Sequence, residues 1–238
     1  MMLDSTIHGA DAPPPVPFLL AEPKYLRRLE TRLVTAGTPL FVEGLRRGET
    51  ARIVDGSVCL YRQMPDGARQ ILDVLGPGHL VGPFLTDLAH CNVMALTRTR
   101  LAALAPAEEA AKVAEATRHM LLRAQSHAML LRRNAVSERV ASGLLDLADQ
   151  FGGRRCPGVD GRVTFTLHLT RADLADWLGL TLTSVSRGLN AFKRAGLIAF
   201  DHPKVITIRD RAGLEALAAG MGDPARRKLP QGKPPARA

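Results

Sequence analysis

The stretch Leu169–Arg187 reads LTRADLADWLGLTLTSVSR, and the rest of the chain is best read outward from it. Thr170-Arg171-Ala172-Asp173 puts a hydroxyl at a helix start with an acid three residues on, the capping-box spacing. Leu174, Ala175 and Leu178 supply one face of a short amphipathic helix. Gly179 breaks it, Leu180 plugs the corner, and Thr181 caps a second helix over 181–195. The apolar face expected for that helix is Leu182, Val185, Leu189 and Phe192. Two short helices joined at a glycine are the helix-turn-helix pattern. In that motif the first turns of the second helix enter the major groove of double-stranded DNA.

Periodicity then selects the outward side chains. With Val185 and Leu189 inward, Thr183, Ser184, Ser186, Arg187 and Asn190 lie nearer the outer face, and the helix-start hydroxyls Thr170 and Thr181 join them as candidate DNA contacts. Arg187 has a planar fork that can donate two bonds to guanine O6 and N7, while Ser and Thr can meet bases or phosphates. Arg171 and Lys193 flank the helix as candidate phosphate contacts. Past Gly196, the runs Ile198–Phe200 and Lys204–Ile208 around Asp201-His202-Pro203 read as a hairpin, a wing. A short helix from Arg211 to Ala219 closes the domain.

Upstream, Val163, Phe165, Leu167 and Leu169 alternate with polar residues, the period of a half-buried strand. A helix is expected over Ser137–Gln150, ending at Gly152-Gly153. Residues 107–134 contain no Gly or Pro and are rich in strong helix formers. Ala114, Thr117, Leu121, Ala124, Ala128 and Leu131 recur at steps of three and four, a 3.5-residue seam. Such a helix packs either on its own domain or against a second copy, and the seam favours the dimer. From about 33 to 104 short apolar runs alternate with Asp55-Gly56, Pro65-Asp66-Gly67, Gly76-Pro77-Gly78 and Gly82-Pro83. Asp-Gly between apolar runs is a hairpin signal, and strands at this spacing predict a small barrel or roll.

Composition fits this organisation. The 238 residues hold 32 Lys and Arg against 23 Asp and Glu, a net charge of +9 that suggests a polyanionic partner. Residues 221–238 hold five basic side chains and one acidic, so nearly half the excess lies there. The fold class expected is α+β. It comprises a lead-in over 1–23 and an antiparallel β-roll over 24–105, then a dimerisation helix over 106–134. A winged helix-turn-helix over 135–220 and a basic tail over 221–238 complete it; lead-in and tail are expected to be disordered. No run approaches the ~18 apolar residues of a membrane span, and the N-terminus lacks a secretory pattern. Cys59, Cys91 and Cys156 have no CxxC spacing, which predicts neither a disulfide framework nor a structural zinc and suits a cytoplasmic setting.

The order roll, long helix, winged helix-turn-helix resembles the Crp/Fnr family of bacterial transcription regulators over about residues 24–219. GSVCLYR at 56–62, DGARQILDVLGPG at 66–78, SERVASGLLDLA at 137–148 and the stretch at 169–187 carry the likeness. The roll is thus similar to a cyclic-nucleotide-binding domain. The recognition helix is similar to the Fnr/FixK branch, which usually carries Glu-x-x-Ser-Arg there. Ser186 and Arg187 match its last two positions, but Thr183 fills the Glu slot. A carboxylate accepts from cytosine N4 and Thr cannot do the same, so altered base preference is expected. The resemblance further implies a homodimer on an inverted repeat, with half-sites about 34 Å apart, and RNA polymerase as a partner.

The resemblance also frames the effector. Cyclic-nucleotide-binding members carry a Glu after the roll glycine and an Arg followed by a hydroxyl. Here those slots are Pro83, Ala89 and His90, so a bound phosphate would lack its charge-assisted partner and cyclic nucleotide is not expected. No cysteine precedes Cys59, so a four-thiolate iron–sulfur cluster is not expected either. No cofactor is predicted; haem stays open, with His79, His90, Cys59 and Cys91 as candidate ligands. Cys156, beside Arg154 and Arg155, is either a redox-sensitive thiol or an ordinary loop cysteine. No enzyme signature occurs: no Walker loop, no GxSxG, no HExxH. The leading reading is a DNA-binding regulator. The alternatives are a ligand- or haem-gated regulator, and a nucleotide-sensing or protein-interaction module whose helix-turn-helix is structural.

Overall fold

A computed structural model describes residues 31–45, 49–82, 88–104, 106–152 and 162–221. The lead-in, the tail beyond residue 221, Pro83 and Cys156 lie outside the described residues.

The apolar runs of the N-terminal half form β1 (Thr31–Val34), β2 (Pro39–Phe41), β3 (Ala51–Asp55), β4 (Val58–Gln63), β5 (Arg69–Leu75), β6 (Leu80–Val81), β7 (Asn92–Ala95) and β8 (Thr99–Ala103). They make two four-stranded sheets, β1-β8-β3-β6 and β2-β7-β4-β5. All described pairings within them are antiparallel. Ile53, Val58, Val81, Val93 and Leu101 fill the space between the sheets.

Pro65-Asp66-Gly67 makes the expected hairpin, pairing Gln63 with Arg69. Asp55-Gly56 does not, because β3 and β4 belong to different sheets. It is a corner at which the chain changes sheet. Gly56 has φ +90, and a Cβ there would stand 2.6 Å from the Arg98 carbonyl oxygen. The glycine is needed for that close approach as much as for the turn.

Next come α1 (Pro106–Leu131), about 40 Å long, and α2 (Val136–Phe151). The C-terminal domain adds β9 (Val163–Thr166), α3 (Arg171–Trp177), α4 (Leu182–Arg194), β10 (Ile198–His202), β11 (Val205–Ile208) and α5 (Arg211–Ala218). The wing hairpin joins β9 in the order β10-β11-β9. Helix α2 is capped at Gly152, but with an extended backbone at φ −69. A Cβ there would fall 2.4 Å from both Val163 Cγ1 and the Ala148 carbonyl oxygen, so crowding explains the glycine. Val140, Leu144, Leu147, Leu174, Leu178, Val185, Leu189, Ile206 and Leu214 form a buried centre, and Cys59, Ile71 and Val74 of the roll pack into the same cluster. The roll and the helix-turn-helix therefore share a core.

Candidate nucleic-acid interface and roll cavity

The helix-turn-helix is built by local rules. Thr170 Oγ1 accepts from the Asp173 amide at 3.1 Å, and Asp173 Oδ2 accepts from the Thr170 amide at 3.1 Å, closing the capping box. Gly179 takes φ +61 at the turn. Thr181 Oγ1 accepts from the Ser184 amide at 3.1 Å and lies 2.9 Å from Ser184 Oγ. The hydroxyls of Thr170, Thr181 and Ser184 are thus engaged in their own helix starts.

Val185, Leu189 and Phe192 face inward. Thr183, Arg187 and Asn190 are exposed on the opposite side and Ser186 is half-buried beside them. Arg187 has no hydrogen bond or ion pair among the described residues. Leu182 departs from the expected apolar face: it is 51% exposed. It occupies the first position of α4, where the helix overhangs its supports and periodicity alone does not ensure burial.

The two flanking cations are committed to the wing. Lys193 Nζ donates to the Phe200 carbonyl at 3.0 Å and lies 4.5 Å from the Phe200 ring centre. Arg171 stacks at 5.5 Å over the same ring and donates to the Pro203 carbonyl at 3.3 Å. Burial draws its pKa below the ordinary arginine value.

Helix α3 is held from its other side by the roll. Arg69 pairs with Asp173, the Ile71 amide donates to Asp176 Oδ2 at 2.9 Å, and Gln70 Nε2 donates to the Asp176 carbonyl at 3.2 Å. Burial raises the Asp176 pKa against the lowering effect of that amide.

Of the seam on α1, Ala114, Leu121, Ala124, Ala128 and Leu131 are exposed, with Leu121 at 58%. Thr117 is half-buried and its hydroxyl donates to the Val113 carbonyl at 2.9 Å. Leu122 and Met129 extend the apolar surface. The helix's other side carries Arg123 into a cluster that sequence spacing did not reveal. Its Nε donates to Asp73 Oδ2 at 2.8 Å and its Nη1 to Asp146 Oδ1 at 2.9 Å. One side chain thus ties α1 to β5 and α2. Burial opposes its charge, but the hydrogen bonds and charges of Asp73 and Asp146 prevail and raise its pKa.

Between the roll and α1 lies a cavity of about 490 Å³. His79, Ala89, His90 and Cys91 line it from the roll, and Lys112 and Arg123 from α1. Cys59 lies instead in the shared core. Burial pushes the Cys59 and Cys91 thiols up to about 11, which keeps both protonated and poor as thiolate ligands. Burial also lowers the His79 pKa, favouring the neutral ring. The described residues hold no cluster of three His, Cys, Asp or Glu side chains suited to a metal ion.

An exposed helix face with a free arginine, set in a capped helix-turn-helix beside a three-stranded wing, defines a DNA-binding regulator. Residues 138–217 match the model of the Crp-like helix-turn-helix domain, and residues 31–115 that of the cyclic nucleotide-binding domain. The chain is 31% identical over 205 residues to the transcriptional activator protein FnrL of Cereibacter sphaeroides, covering 82% of this chain and 81% of that protein. It is 34% identical over 175 residues to the nitrogen fixation regulation protein FixK of Azorhizobium caulinodans, covering 69% of each. The structure of FixK2 from Bradyrhizobium japonicum superposes with a TM-score of 0.68 at 27% identity, over 79% of this chain and 96% of that one. The chain belongs to the Crp/Fnr family of DNA-binding transcription regulators, which is not a family of enzymes.

Proposed function

We propose that this chain acts as a homodimer that reads an inverted-repeat DNA site through α4 and activates transcription from the cytoplasm by contact with RNA polymerase. The observation that carries the reading is Arg187, exposed and unpartnered among the described residues, beside Thr183, Ser186 and Asn190 on a helix whose opposite face is buried. The exposed face Ala114, Leu121, Ala124, Ala128 and Leu131 supports α1 as the seam between copies. Activation is the action that the name of FnrL states for that relative. No described helix is long and apolar enough to cross a membrane. The test is selection of duplexes from a random library, followed by sedimentation of the complex. An inverted repeat bound by two chains, with half-site centres about one helical turn apart, is expected. Selection of a single unrepeated site by one chain would overturn the reading.

The cavity favours a second reading, in which a ligand gates the regulator. With Ala89 and His90 on its wall and no arginine–hydroxyl pair at those positions, cyclic nucleotide is a poor fit. Calorimetry with cyclic AMP should show no binding, and an absorption spectrum after haem addition tests the two histidines. Micromolar cyclic AMP binding would reverse the first statement. Cys156 remains a candidate redox thiol: Cys156→Ser should blunt any peroxide sensitivity of DNA binding, and unchanged sensitivity removes it.

A further inference from the structure

The roll reaches the helix-turn-helix through one short piece of β5. That strand ends the sheet order β2-β7-β4-β5, so its outer edge pairs with no strand among the described residues, and α3 covers it instead. Three consecutive residues make the contact. Arg69, stacked at 5.6 Å over the Tyr61 ring, pairs with Asp173. Gln70 donates to the Asp176 carbonyl, and the backbone amide of the buried Ile71 donates to the Asp176 carboxylate. The Gly179 amide, in the corner leading into α4, donates to the same Asp176 carbonyl at 3.1 Å. Asp173 and Asp176 are three residues apart on α3, so both carboxylates present one face to the roll. From α1, the His127 ring stacks on Trp177 at a centroid distance of 5.8 Å. Helix α3 is thereby fixed to the roll and to α1 at once, and α4 follows it through the corner 178–181. These contacts lie on α3 and its corner, away from the exposed face of α4 that carries Arg187. They cannot read a base, but they fix the direction and distance of that face relative to α1.

We propose that the clasp of Arg69, Gln70 and Ile71 on Asp173 and Asp176 selects the spacing between half-sites, its members being positioning residues that hold the two α4 helices of a dimer at one separation. The proposal rests on the homodimer reading an inverted repeat through α4, and its test separates the two ideas. Full-length protein is titrated with its selected inverted repeat, and with the same half-sites moved together or apart by one and two base pairs. Each base pair shifts a half-site by about 3.4 Å and turns it by about 35°, which a clasped α4 cannot follow. A change of one base pair should weaken wild-type binding about tenfold, the cost of one mismatched pair within a site. In Asp176→Ala that penalty should shrink to about twofold, since a hydrogen bond of this kind is worth about fivefold. Base preference within each half-site should stay as in the wild type. Asp176→Asn keeps an acceptor for the Ile71 amide and should restore the wild-type spacing profile. Arg69→Met deletes the guanidinium, leaves the Ile71 bond in place and should flatten the profile by a smaller factor. Urea unfolding checks that each variant is folded, and if Asp176→Ala is not, Arg69→Met decides. If the folded variants penalise shifted half-sites as steeply as the wild type, or if the wild type is indifferent to spacing, the proposal falls while the dimeric reading stands. If the wild type binds a lone half-site as a single chain, both fall.

Discussion

The recognition helix and the junction between roll and α1 use arginine in opposite ways. On α4, Arg187 is exposed and unpartnered among the described residues, so its donors are free for an external partner. On α1, Arg123 is largely buried and gives its donors to Asp73 of the roll and Asp146 of the C-terminal domain. A free guanidinium on a rigid helix costs the fold little and can recognise a base edge. A satisfied one binds segments of the chain together, and it also borders the cavity between the roll and α1. Recognition and cohesion are therefore separable by mutation.

The sharpest way to break that contrast is Arg123→Ala. It leaves two part-buried carboxylates facing each other without their cation, so about 3 kcal/mol of stability should be lost. Urea unfolding measures it. Arg123→Lys should recover little, because an ammonium cannot span both carboxylates with a fork. A loss below about 1 kcal/mol would mean that the junction is held by apolar packing alone. Arg187→Ala should do the reverse. Specific binding should weaken by about 1–3 kcal/mol with the unfolding midpoint unchanged, as fluorescence anisotropy and urea titration would report. Retained discrimination between selected and scrambled duplexes would move recognition off α4.

The same contrast explains what could be read from the residues in order. The helix-turn-helix follows nearest-neighbour chemistry: the Thr170–Asp173 box, Gly179 at φ +61 and the Thr181 cap are decided within three or four residues. Those features were legible, as were the wing and the long helix. Leu182 was misassigned because a period of 3.6 ignores where a helix runs out of neighbours. Asp55-Gly56 looked like a hairpin because a dipeptide specifies a turn but not which sheet receives the next strand. Arg123 gave no signal, since its partners lie 50 and 23 residues away. The cavity likewise depends on α1 crossing the roll, a long-range arrangement that local pattern does not encode.

A smaller effect sharpens the local side. Thr170→Ala removes the capping hydroxyl of α3, which should cost about 1 kcal/mol. Asp173 would keep its bond to Arg69 from the roll. If the capping box matters chiefly by orienting Asp173 towards Arg69, Asp173→Asn should cost more than Thr170→Ala, and the double variant less than the sum of the two. Additive losses in urea unfolding would show that the cap and the interdomain pair act independently.

The smallest effect concerns Lys193, which sequence position suggested as a phosphate contact and whose ammonium instead caps the Phe200 carbonyl and ring. Lys193→Met keeps the apolar stem and deletes the charge. Stability should fall by about 0.5–1 kcal/mol through the lost cation–π contact. The slope of log affinity against log salt should hold, because a cation already bonded to the wing releases no counterion from DNA when it binds. A true phosphate contact would lower that slope by about one unit. That result would place Lys193 with Arg187 among the groups free for DNA, and would mean that the wing bond is exchanged for a phosphate in the complex.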